Sequence, residues 1–94
     1  MGRVSRRKPK RLAAKLLQIR NALGLSQNEM LRSLELANAV FRSAVSGYEL
    51  GTREPPLPVL LKYAELAGVC LDVLVNDALD LPEKLPSSPK HRGV

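Results

Sequence analysis

The chain has 94 residues, of which 45% are apolar but only three are aromatic, with one cysteine, one histidine and a net charge of +6. This length sets a single small domain, and the scarcity of aromatics leaves its core to Leu, Val and Ala. Cys70 alone excludes an internal disulfide, and with His91 alone it supplies no zinc set. No apolar run nears the roughly 18 residues of a membrane span. The basic N-terminus leads into no apolar signal region, so the expected compartment is the cytoplasm and its nucleoid.

The charge is unevenly spread. Residues 1–53 carry a net of +8, residues 54–83 a net of −5, and the last eleven residues add three positive charges. A basic half joined to an acidic half favours a polyanion on one face, since Lys and Arg near phosphates release condensed counterions. Solubility alone would explain the total charge but not its segregation.

Residues 1–9 hold Arg3, Arg6, Arg7 and Lys8, with no acid and no hydrophobic period. They are expected to form a flexible arm, either lying along phosphates or simply solvated. Pro9 suits the opening of a first helix over residues 10–23, with Leu12, Leu16, Ile19 and Leu23 as one apolar stripe and Gly24 as a left-handed cap. Ser26 and Glu29 form an S-x-x-E capping box for a second helix over 27–34, whose Met30 and Leu34 share a buried face.

Residues 35–41 allow more than one turn. Asn38 or Ser43 could cap the next helix, or residues 36–37 could prolong the second one. A loop over 35–40 is preferred here, with Leu36 and Val40 reaching the core. The third helix then starts at 41 or 42 and ends at 49. Phe41, Val45 and Tyr48 fall on its apolar side, and Arg42, Ser43, Ser46 and Gly47 on the other. A small polar face backed by an apolar one suits insertion into a nucleic-acid groove.

Gly51 and Pro55-Pro56 make the exit turn. A fourth helix is expected over 57–67, with Leu57, Leu60, Leu61 and Ala64 buried and Gly68 closing it. A short fifth helix over 71–75 has Asp72 near its start. Cys70 is expected to be a small buried or half-buried residue. Residues 82–94, with three prolines, are expected to form a disordered tail around a solvated His91. The expected organisation is arm 1–9, domain 10–81 and tail 82–94, an all-α bundle of five short helices.

Three blocks, G-L-S-Q-x-E from Gly24, V-S-x-Y-E-x-G-x-R-x-P from Val45, and L-P-V-L-L-K-Y-A-E-L-A-G-V-C-L-D-V-L from Leu57, together resemble the lambda-repressor-like (Cro/XRE-type) helix-turn-helix family over residues 11–75. One departure concerns the segment between Leu34 and Val45, which is longer than usual and lacks the family's Gly-hydrophobic-Ser turn. The resemblance implies double-stranded DNA as partner and a sequence-specific transcriptional regulator. It implies base readout by Arg42, Ser43, Ser46 and Gly47, the glycine providing clearance. Phosphate contacts would come from Ser26, Gln27, Thr52 and Arg53, joined by Arg6, Arg7 and Lys8 of the arm. An ion pair between Arg20 and Glu49 would tie the first helix to the third. A two-fold homodimer would form through Leu71, Leu74, Val75, Leu79 and Leu81.

An antitoxin-like module that binds a protein partner and represses its own operon is the alternative. RNA binding is weaker, for want of a stacking platform. No nucleophile–base pair, metal cluster or phosphate-cradling loop points to an enzyme, and no cofactor is expected.

Overall fold

The computed structural model describes residues 9–35 and 43–85. The expectations for Arg6, Arg7, Lys8, Leu36, Asn38, Val40, Phe41, Arg42 and His91 therefore lie outside the described residues. Five helices follow in order: α1 (Leu12–Leu23), α2 (Gln27–Ser33), α3 (Ala44–Leu50), α4 (Leu57–Ala67) and α5 (Leu71–Val75). Among the described residues the fold is all-helical. α1 packs against α3, α4 and α5, and α2 against α3.

The core gathers Leu12, Leu16 and Ile19 of α1, Met30 and Leu31 of α2, Ala44, Val45 and Tyr48 of α3, a set from α4, and Leu74 of α5. The α4 set is Val59, Leu60, Tyr63, Ala64 and Ala67. Here the expected face is wrong in part: Leu57 is 64% and Leu61 47% exposed. α4 is apolar on nearly every side, so two phases of the 3.6-residue period compete, and Tyr63 takes the centre. The Tyr63 hydroxyl is buried with no hydrogen-bond partner among the described residues. Burial first, then the nearby Glu49 carboxylate, push its pKa upward, so it stays protonated.

α1 starts at Leu12, two residues later than expected, because its free N–H groups find an acceptor far away in sequence. The Asp77 carboxylate accepts from the Lys10 N–H (2.9 Å) and the Arg11 N–H (3.0 Å). A carboxylate at a helix N-terminus meets both unpaired donors and the positive end of the dipole. The Arg11 guanidinium reaches back to the Asp77 carbonyl (2.7 Å) and to Asp80. Lys15, on the inward side of the same helix, is fully buried. Its ammonium donates to the carbonyls of Val73 (2.7 Å) and Asn76 (3.0 Å) at the end of α5. Desolvation and the neighbouring Arg11 charge lower its pKa. The two helix ends are thus capped reciprocally: an acid just after α5 on the start of α1, and a cation of α1 on the end of α5.

Three helices end on a glycine in the left-handed region, Gly24, Gly51 and Gly68. α2 does the same with Glu35 at φ 63°. A side chain there crowds the backbone, which glycine avoids. Glu35 is anchored by its N–H to the Arg32 carbonyl (2.9 Å) and by Lys62 at 3.4 Å. Two further corrections concern single residues. Cys70 is exposed, as the residue ahead of α5. Leu85 is buried in the core, so the packed body runs past the expected boundary at 81.

Glu35→Gly is expected to raise stability by about 1 kcal/mol, since the left-handed strain outweighs one exposed ion pair. A thermal melt should show a gain of about 4–8 °C. Acid should loosen the molecule at its caps. Backbone and side-chain donors hold the Asp77, Glu29 and Asp80 carboxyls below the usual range. Depressed folded-state values mean that their contribution is present above pH ~4 and is lost as pH falls through the folded values. Melting followed from pH 6 to pH 3 should fall less steeply for Asp77→Asn than for the wild type.

Candidate nucleic-acid interface

α2 opens with the capping box expected from Ser26 and Glu29. Ser26 Oγ accepts from the Glu29 N–H (3.0 Å), and Glu29 Oε1 accepts from the Ser26 N–H (2.8 Å). This local exchange fixes the start of α2 and leaves Gln27 exposed in its first turn.

The orientation of α3 is set by a second polar cluster. Arg20 Nε donates to Glu49 Oε2 at 2.6 Å, and Arg20 Nη2 to Glu49 Oε1 at 3.0 Å. The third nitrogen, Nη1, donates to the Leu25 carbonyl (3.0 Å), just after the Gly24 cap. The two side chains are only 16% and 5% exposed. Bidentate, charge-assisted geometry in a partly dry site makes this a strong pair. The hydrogen bond to Glu49, with its charge, outweighs desolvation and raises the Arg20 pKa. Gln27 joins them, its Nε2 donating to Glu49 Oε1 at 3.0 Å. The cluster therefore links α1, the start of α2 and the end of α3. This bond uses one of the two N–H donors of the Gln27 amide, and the residue is exposed.

α3 seats Ala44, Val45 and Tyr48 in the core. Ser43 is exposed, while Ser46 and Gly47 are half-buried on the opposite side. Leu50 continues that side at the i, i+3, i+4, i+7 positions and is 73% exposed, which the sequence reading overlooked. The same counting from Ser43 would have found it. The helix begins at Ala44, later than expected, and Ser43 precedes it without a side-chain capping bond.

The exit turn folds back onto α3. Thr52 and Arg53 N–H groups donate to the Gly47 carbonyl at 3.0 and 3.2 Å. Both residues are exposed. The open space expected beside Gly47 is not empty, because the Arg53 stem lies over it. Lys10 and Arg53 line one cleft of about 250 Å³, floored by Leu12, Ala13 and Tyr48. The root of the arm thus lies beside the exit turn.

Of the residues expected at a dimer contact, Leu74 is fully buried in its own protomer and cannot face a partner. Leu71 and Leu81 are half-buried against the core. Val75 and Leu79 are exposed.

Glu49→Ala is expected to destabilise the fold by about 3–5 kcal/mol, because it leaves the Arg20 guanidinium partly buried without its acid. Gln27→Ala removes only one hydrogen bond to that carboxylate, about 1–2 kcal/mol. Urea unfolding of the two variants checks the ranking, which fails if Gln27→Ala is the costlier change.

No helix among the described residues is long and apolar enough to cross a membrane. A family model described as Helix-turn-helix matches residues 16–74, more than half of the chain. Neither a curated protein nor a solved structure matches it. The matched span runs from Leu16, in the middle of α1, to Leu74 near the end of α5, and takes in the whole Arg20–Gln27–Glu49 cluster. The family is one of DNA-binding regulators rather than enzymes, and with this extent of match the chain belongs to the lambda-repressor-like helix-turn-helix family.

Proposed function

We propose that the protein is a sequence-specific transcriptional repressor that reads the major groove with α3 and the residues just before it. One observation carries this reading: α3 is held inward by Ala44, Val45 and Tyr48, while Ser43, Ser46 and Gly47 lie on its other side, next to the exposed Thr52 and Arg53. Base readout is assigned to Arg42, whose guanidinium can meet guanine O6 and N7, and to Ser43 and Ser46. Phosphates are gripped by the free donor of Gln27, the Ser26 hydroxyl, Thr52, Arg53 and the arm residues Arg6, Arg7 and Lys8. Lys10 shares a cleft with Arg53, which supports the arm and the exit turn meeting one DNA backbone.

The repressor acts as a two-fold homodimer in the nucleoid. Val75 and Leu79 form the centre of the contact, and Leu71 and Leu81 its edges. A second reading, an antitoxin-like module with a protein partner, draws on Leu57 and Leu61, which stand exposed one turn apart on α4.

Selection of bound duplexes from a random pool tests the proposal. The expected product is a pair of half-sites about 10 base pairs apart. A single half-site would speak against the dimer, and no shared sequence would favour the protein-partner reading. On the selected duplex, Arg42→Ala should cost about 1–3 kcal/mol and relax preference at one position. Arg53→Ala should weaken all sequences alike and make the salt dependence shallower. Sequence-blind losses from both would overturn this division of roles.

A further inference from the structure

We propose that Gly47 is a positioning residue for Arg53: the missing side chain at 47 is the seat in which the arginine stem lies, and so fixes where its guanidinium meets DNA. The proposal rests on the DNA-binding reading above and assigns Gly47 a different role from open clearance for the groove.

A Cβ built on Gly47 would stand 3.1 Å from both Cβ and Cδ of Arg53 and 3.3 Å from its Cγ. Three successive carbons at nearly one distance mean that the stem lies flat across the bare Cα of residue 47. The backbone holds the same register, with the Arg53 N–H and Thr52 N–H both donating to the Gly47 carbonyl. The Thr52 hydroxyl approaches that carbonyl as well, at 3.4 Å. Arg53 is therefore fastened to one residue of α3 through its main chain and through its aliphatic stem.

The backbone does not demand glycine at this position. Among the described residues the glycines with positive φ are 24, 51 and 68, and Gly47 is not one of them. Inside a helix, glycine is disfavoured relative to alanine. What favours it is the contact: a Cβ at 47 asks the Arg53 stem to give by a few tenths of an ångström, and the Arg53 Cβ, tied to the turn, gives least readily. A long arginine loses much freedom when it grips a phosphate. A seat along its stem removes part of that loss beforehand.

The test is a double-mutant cycle on the full chain, using Gly47→Ala, Arg53→Ala and the pair. Binding to the selected duplex is measured by fluorescence anisotropy at several KCl concentrations, and folding by circular dichroism. Gly47→Ala alone should keep the base preference and bind about tenfold more weakly at 0.1 M salt. Its log–log salt slope should be shallower by about one, as for a lost phosphate contact. Added to Arg53→Ala, it should change affinity and slope no further.

Binding by Gly47→Ala equal to the wild type overturns the proposal. So does a loss that persists undiminished beside Arg53→Ala, since Gly47 would then act through its own clearance. If Gly47→Ala loses its fold, Gly47→Ala with Arg53→Gly should regain the helical signal, because the stem is gone; failure to regain it is equally fatal. If the wild type binds no duplex, the DNA-binding reading fails, and the melting cycle alone then decides whether the seat exists.

Discussion

The pair between Arg20 and Glu49 is the constraint on which the geometry of this domain depends. α3 has only seven residues and contributes just three side chains to the core. Apolar contact of that size can hold a short helix against a body but leaves it free to roll. A bidentate, partly buried ion pair at its last turn removes the roll, because a fork of two parallel hydrogen bonds tolerates little rotation. The third Arg20 nitrogen, on the Leu25 carbonyl, ties the same guanidinium to the chain between α1 and α2. The angle between the two arms of the helix-turn-helix unit is thereby set from α1, outside both of them.

A second polar system does comparable work at the other end of α1. The acidic half of the chain is not a face turned away from the basic half. Asp77 caps α1, Asp80 holds Arg11, and Lys15 in return caps α5. The charge segregation along the sequence has a folding role, in which acids from the C-terminal segment clasp the root of the basic arm. In a domain too small for a large core, such caps supply order that apolar burial cannot. They also pair the positive charges of Arg11 and Lys15 within the fold, whereas Lys10, Arg32 and Arg53 stand exposed.

What could be foreseen from sequence was whatever is written locally. The Ser26–Glu29 box and the glycines after α1, α3 and α4 are complete within a few residues, and the extents of α2, α4 and α5 follow from them to within one residue. The Arg20–Glu49 pair was reached only through resemblance, since 29 positions separate its members. Two of the misses, the start of α1 and the burial of Lys15, share one physical cause, partners distant in sequence. Asp77 shortens α1 from 66 positions away. Lys15 breaks the apolar stripe and so escaped notice, yet it lies three residues from Leu12 and four from Ile19, on the buried side. α4 could not be phased because leucines occupy both its candidate faces, and only the bulk of Tyr63 decides between them.

The end of α2 bears on the same alignment. A left-handed glycine after a helix lets the chain reverse without strain, and three helices here use one. After α2 the left-handed residue is Glu35 instead. Strain at a single residue persists only where its surroundings fix it. The anchors of Glu35 are one backbone hydrogen bond and an exposed contact to Lys62. This is a weak hold, and the stronger anchors of the two helices lie elsewhere. Alignment falls to the contacts that bypass the turn: Gln27 on Glu49, Arg20 on Glu49, and the apolar packing of Met30 and Leu31 beside Val45 and Tyr48. The alignment of α2 and α3 is therefore carried by α1 through its ion pair to Glu49 and does not rest on the strained residue Glu35.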